Sequence, residues 1–197
     1  MSNTCISNME DKTQLRPSRD EALSLVHESD LVGLMDRAST LRDAGFRNVV
    51  TYSRKVFIPL TQLCRDVCHY CTFAQPPKTG ERAYMTIAEV IDIAQQGANA
   101  GCREALFTLG DKPELRYPQA REELAELGYS TTIAYLLAAA KAVFDATGLF
   151  PHANPGVVTR DELIALKETC PSQGIMLESV SRRLLERGEA HFSSPDK

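Results

Sequence analysis

The run Val56-Phe57-Ile58-Pro59-Leu60, followed at once by the loop Cys64-Arg65-Asp66-Val67-Cys68-His69-Tyr70-Cys71, decides how this chain is read. A short apolar run with β-branched and aromatic residues has the composition of a buried strand. What it delivers at its C-terminal end is a loop carrying three thiols. Two thiols suffice for a disulfide and four for a tetrahedral zinc site, whereas three in one loop suit a metal centre with an open position. A [4Fe–4S] cluster with three protein ligands is such a centre. The loop also sits where α/β folds keep their chemistry.

Outward from that stretch the chain alternates strand and helix signals. Pro76, Pro77 and Gly80 end the loop; Thr86 with Glu89 opens a helix carrying Val90, Ile91, Ile93 and Ala94, closed by Gly101. Ala105–Leu109 reads as a second strand ending in Gly110-Asp111, and a charged stretch then runs through Glu126. A helix from about Thr131 turns Ile133, Leu136, Leu137, Val143 and Phe144 inward until Gly148 stops it. Leu149–Ala153 is a third strand, leading into Asn154-Pro155-Gly156, and Thr159 with Glu162 caps a helix bearing Leu163 and Leu166. Ile175–Val180 reads as a fourth strand, with a short helix over Arg182–Arg187 before Gly188. Such alternation implies parallel pairing, hence an α/β barrel or doubly wound sheet.

Before this core, Met1 to about Pro17 is polar and aperiodic and reads as a disordered arm that includes Cys5. Ser18 with Glu21 starts a first helix, and Asp30 a second that Gly45 should stop. The expected organisation is an arm over 1–17, helices over 18–48 that pack outside the core, and the core over 49–197.

At 197 residues and 43% hydrophobic content the chain is long enough for one real core. Its net charge of −4, with both signs interleaved, provides no basic field for nucleic acid. The longest apolar stretch, around Ile133 to Ala142, is too short to span a bilayer, and no signal-peptide run is present. A cytoplasmic protein with reduced thiols is expected. Cys102 and Cys170, at helix ends, read as small buried residues.

The C-x3-C-x2-C spacing, with Tyr70 before the last cysteine, resembles the signature of the radical S-adenosylmethionine (radical SAM) family. The words CRDVCHYCTFAQPP, FTLGDKPE, PHANPG and GIMLESVSRRLLERGEAHFSSPDK are similar to its FO synthase branch, in the cyclising subunit or the N-terminal half of the two-domain form. They extend from about Val56 to the last residue. The resemblance implies a partial TIM-type (β/α)6 barrel, of which only about four βα units can be counted, so a C-terminally truncated barrel is expected. It implies a lyase that cyclises a hydroxybenzyl–ribitylaminouracil adduct to 7,8-didemethyl-8-hydroxy-5-deazariboflavin (FO), expelling ammonia, in coenzyme F(420) biosynthesis. A sister radical SAM domain that makes the adduct and an electron donor are the implied partners.

The same resemblance assigns residues. Cys64, Cys68 and Cys71 would hold the [4Fe–4S] cluster, whose free iron takes the amino and carboxylate groups of SAM. Tyr70 would pack beside the cluster and the SAM adenine. Gly110 and Asp111 fall where the family binds the SAM amino group, although Gly-Asp departs from the commoner Gly-Gly-Glu. Glu178 and Ser179 resemble the position that bonds the SAM ribose, with an ion pair from Glu178 to Arg182 or Arg183 as the plainer alternative. His152 and Asn154 close the third strand toward the substrate side, with His152 a candidate proton shuttle. Alternatives to the whole reading are a related radical SAM enzyme of the biotin synthase or menaquinone-pathway type, or a non-catalytic iron–sulfur or zinc protein. In the zinc case His69, His152, Cys102 or Cys170 would supply a remote fourth ligand.

Overall fold

The computed structural model describes residues 17–196, which fall into two compact units dividing between Tyr52 and Ser53. The arm with Cys5 lies, up to residue 16, outside the described residues. In the first unit Ser18 and Glu21 form a reciprocal capping box that starts α1 (Arg19–Ser24). Asp30 caps α2 (Leu31–Phe46) by accepting the Gly33 N–H. Gly45 does not stop this helix. The helix continues one residue further, to Phe46, and Arg47 at φ 56° takes the positive-φ position after it.

The second unit is built on four parallel strands in the order β1-β2-β3-β4: β1 (Lys55–Pro59), β2 (Glu104–Thr108), β3 (Phe150–Asn154) and β4 (Ser172–Gln173). Between β1 and β2 runs α3 (Ile87–Asn99), opened by the Thr86–Glu89 capping box. Between β2 and β3 run α4 (Pro118–Glu126) and α5 (Thr132–Thr147), and between β3 and β4 runs α6 (Arg160–Thr169), opened by the Thr159–Glu162 box. Each of these boxes satisfies helix N–H groups that would otherwise lack partners, which is why the starts were legible.

Register separates the two faces of the sheet. Ile58, Phe107 and Ala153 lie side by side and are fully buried under α3 and α5. From α5, Leu136 and Val143 complete that core, each side chain contributing roughly 1.5–3 kcal/mol by leaving water. The opposite row is Phe57, Leu106, His152 and Ser172, and the row above it at the strand ends is Pro59, Thr108 and Asn154.

Two expectations are corrected here, and one stretch for which no element was expected contains a helix. The charged stretch after Gly110 contains α4, with Pro118 at its first turn and Ala120 and Leu124 buried beneath its charged face. The fourth strand is not Ile175–Val180: pairing stops at Gln173, and Ile175, Met176, Leu177 and Val180 are exposed and irregular. An apolar β-branched run becomes a strand only where a neighbouring backbone accepts its hydrogen bonds. The helix expected over Arg182–Arg187 is a single 3-10 turn, Arg182–Leu185. Among the described residues no helix is long and apolar enough to cross a membrane.

Candidate metal and cofactor site

The cysteine loop leaves β1 and is pinned from three directions. Below it, the Gly110 N–H donates to the Thr61 carbonyl at 3.0 Å, so the end of β2 passes directly beneath Leu63 and Cys64. Beside it, the Asp111 N–H donates to Cys64 Sγ at 3.2 Å, and the Arg65 N–H donates to the Asp111 carbonyl at 3.0 Å. Above it, the segment 190–194 is laid across: the His69 N–H donates to the Ala190 carbonyl, and Ser194 Oγ both accepts from the Val67 N–H and donates to the Val67 carbonyl.

All three thiols are reduced, and no disulfide is present among the described residues. Burial pushes the Cys64 thiol above its ordinary range, opposed by the N–H groups of Asp66 and Asp111 that favour the thiolate. Cys71 is exposed, and its Sγ accepts the Ala74 N–H at 3.4 Å. Among the described residues no three His, Cys, Asp or Glu side chains are gathered closely enough to hold a metal ion. What fits a cluster is the donor set. It comprises three reduced thiols on one pinned loop, two of whose sulfurs, Cys64 and Cys71, accept backbone N–H groups, the bonds that tune iron–sulfur centres.

Next to the loop lies a cavity of about 500 Å³ whose wall includes Asp66, Cys68, Asp111, Gly156, Glu178 and Ser179. It brings four of the expected residues, Cys68, Asp111, Glu178 and Ser179, onto one surface. Among the described residues Glu178 has no ion pair with an arginine; Arg182 turns to Asp196 at 3.2 Å. Tyr70 is not part of that wall; it stands edge-on to His191, which is, with its hydroxyl 3.2 Å from His191 Nε2. Burial, with Cys68 and Glu178 nearby, raises its hydroxyl above the usual phenol range. A second cavity of about 610 Å³, lined by Pro76, Lys78, Arg82 and Glu89 among others, contains none of the expected residues.

His152 lies away from the loop. Its Nδ1 is 2.7 Å from Ser172 Oγ and 3.8 Å from Glu104 Oε2, and Glu104 is in turn bonded to Lys55 and Ser53. It is Asn154, two residues on, that reaches the upper row of the sheet. Cys170 is buried, as expected, and Cys102 half-buried.

Sequence reasoning missed Arg65, whose Nε donates to Asp111 Oδ2 at 2.9 Å, and Arg116, whose Nη1 donates to the Arg65 carbonyl at 2.8 Å. It also missed Ser194 and His191. None carries a local signal, because their partners lie 46 to 127 residues away in sequence.

The chain matches the radical SAM superfamily over residues 58–194. It is 48% identical to a Mycobacterium tuberculosis protein named FO synthase, over 90% of this chain and 23% of that protein. A Streptomyces coelicolor FO synthase is 47% identical over 95% of this chain and 23% of its own length. The 7,8-didemethyl-8-hydroxy-5-deazariboflavin synthase of Methanopyrus kandleri is 44% identical over 76% of this chain and 45% of that protein. The chain thus spans about a quarter of the actinobacterial relatives and under half of the archaeal one. In fold it is similar to methylornithine synthase, with a TM-score of 0.58 at 19% identity, covering 88% of this chain and 48% of that structure.

Proposed function

The chain belongs to the radical SAM superfamily, and on that premise we propose that it is a radical SAM lyase of the FO synthase kind. The reaction is cyclisation of 5-amino-5-(4-hydroxybenzyl)-6-(D-ribitylimino)-5,6-dihydrouracil to FO with release of ammonia, methionine and 5′-deoxyadenosine. The identities of 44–48% to proteins bearing the names FO synthase and deazariboflavin synthase support this reaction class. The observation that carries the reading is the cavity beside the cysteine loop, which joins Cys68, Asp111, Glu178 and Ser179 from three separate stretches of chain.

Cys64, Cys68 and Cys71 would hold the cluster, which, reduced and with SAM bound, would supply the electron for radical chemistry. The chain's own residues bind and shield. The Gly110-Asp111 turn borders the SAM amino group, Glu178 and Ser179 accept and donate hydrogen bonds at the ribose, and Tyr70 covers the adenine. His152 takes up a proton during ring closure; in its neutral form Nε2 is the atom left for that task, since Nδ1 faces Ser172. The adduct comes from a sister radical SAM domain, electrons come from a low-potential donor, and the chemistry runs in the reducing cytoplasm.

The test is anaerobic iron–sulfur reconstitution, then SAM and dithionite, with 5′-deoxyadenosine quantified with and without the adduct. Adduct-stimulated release together with deazaflavin fluorescence is expected. SAM cleavage that ignores the adduct would remove the FO assignment, and a chain that assembles no cluster would remove the metal assignment.

A further inference from the structure

We propose that Arg65 and Asp111 form a positioning pair that latches the cysteine loop to the end of β2 and fixes the surroundings of Cys64. This rests on the cluster reading above and goes beyond it, because it directs the Asp111 carboxylate to the loop and away from SAM.

The two side chains meet through Arg65 Nε and Asp111 Oδ2 at 2.9 Å, and they are only 17% and 6% exposed. The main chain doubles the link: Arg65 N–H to the Asp111 carbonyl, and Asp111 N–H to Cys64 Sγ. Arg116 adds a third tie by donating to the Arg65 carbonyl. On the far side, Gly156 makes room for the carboxylate. A Cβ there would stand 2.7 Å from Asp111 Oδ1, and its φ of +79° already suits glycine. Two opposite charges therefore sit beside a sulfur ligand, Arg65 next to Cys64 in the chain and Asp111 with its N–H on the Cys64 sulfur, and they meet each other. Removing either takes the opposite charge away from its neighbour in a poorly hydrated place.

That arrangement has a consequence with a sign. Reduction adds negative charge to the cluster, so a nearby cation eases it and a nearby anion opposes it. Asp111→Asn removes the anion beside Arg65 and raises the midpoint potential; Arg65→Met removes the cation beside the Asp111 carboxylate and lowers it. A residue that serves only to hold the fold has no reason to move the potential in opposite directions on loss of either partner.

The experiment has two arms on the full chain. In the first, the metal-free protein is alkylated anaerobically with iodoacetamide and each cysteine is followed by mass spectrometry. Cys64 in the unaltered chain is expected to react more slowly than exposed Cys71, and at least about tenfold faster in Arg65→Met and Asp111→Asn, the size of a lost charged hydrogen bond. Buried Cys170 reports global unfolding. If a variant exposes it, Arg65→Lys takes that variant's place, with faster Cys64 labelling and an unshifted potential expected. In the second arm the reconstituted proteins are titrated for cluster potential and for SAM binding. Unchanged Cys64 labelling with Cys170 protected overturns the latch, as do potentials of Arg65→Met and Asp111→Asn that coincide or shift in one direction, or an Arg65→Lys potential that moves. Weaker SAM binding by Asp111→Asn with labelling and potential unchanged also overturns it and returns the carboxylate to SAM. Failure of the unaltered chain to assemble a cluster removes the metal assignment of the preceding section, and the labelling arm then decides the latch by itself.

Discussion

Gly110 runs so close beneath the cysteine loop that a Cβ on it would stand 1.8 Å from the Leu63 carbonyl oxygen and 2.8 Å from the Cys64 Cα. The neighbours are backbone, with no flexible side-chain end to move aside. Gly110→Ala is therefore expected to lift the loop off β2, destabilising the second unit by about 3 kcal/mol or more. Urea unfolding and iron content after reconstitution check this. A stable variant with full iron would show that the loop has another resting place.

Ser194 Oγ bridges both backbone polar groups of Val67, accepting at 2.8 Å and donating at 3.0 Å. Ser194→Ala leaves that N–H and carbonyl without their bridge. Amide exchange at Val67 should quicken by about tenfold, the scale of one lost hydrogen bond to a part-buried group, while the core amides of β2 keep their protection. Equal exchange in both proteins would mean the strap does not hold the loop.

Glu114 is 7% exposed and accepts from both the N–H and the hydroxyl of Thr132, whose hydroxyl also meets Tyr84 at 2.6 Å. It ties the turn after Asp111 to the start of α5. Glu114→Ala strands a buried N–H and should cost about 2–4 kcal/mol by urea unfolding, with the slope unchanged. Glu114→Gln, which still accepts hydrogen bonds, should recover a good part of it. The turn is assigned a supporting role only if the carboxamide does rescue.

Cys170 is 1% exposed, and burial pushes its thiol up to about 11. Folding thus favours its neutral form. The resulting stability is complete below the unfolded thiol's range, near pH 8.5, and is lost as pH rises through the folded value. The loss between about pH 9 and 11 is on the order of 2–3 kcal/mol. Cys170→Ala should flatten that part of the curve, most plainly below about pH 10, where Tyr135, pushed up to about 12 by burial, does not yet contribute. Urea unfolding from pH 8 to 11 measures both slopes, and parallel curves would refute the assignment.

Where a structural cue closes within a few residues, reading the chain was sufficient. The boxes at Ser18–Glu21, Thr86–Glu89 and Thr159–Glu162 are each completed by two hydrogen bonds spanning three residues, and each helix begins where its box lies. Gly148 stops α5 in the left-handed conformation as expected. The fourth strand failed for the opposite reason. Ile175–Val180 has a strand's composition, but composition does not choose the neighbour that must hydrogen-bond it, and the ladder with β3 ends at Gln173.

The sequence by itself therefore determined the alternation of strand and helix, the parallel α/β architecture, and three thiols in one loop at the end of the first strand. Only the tertiary structure decided what surrounds those thiols. The Arg65–Asp111 pair closes over 46 residues and the Val67–Ser194 bridge over 127, and His152 is directed to Ser172 by strand register. Such contacts leave no periodic trace in the chain, because they form only once the sheet brings distant backbone segments within hydrogen-bonding distance.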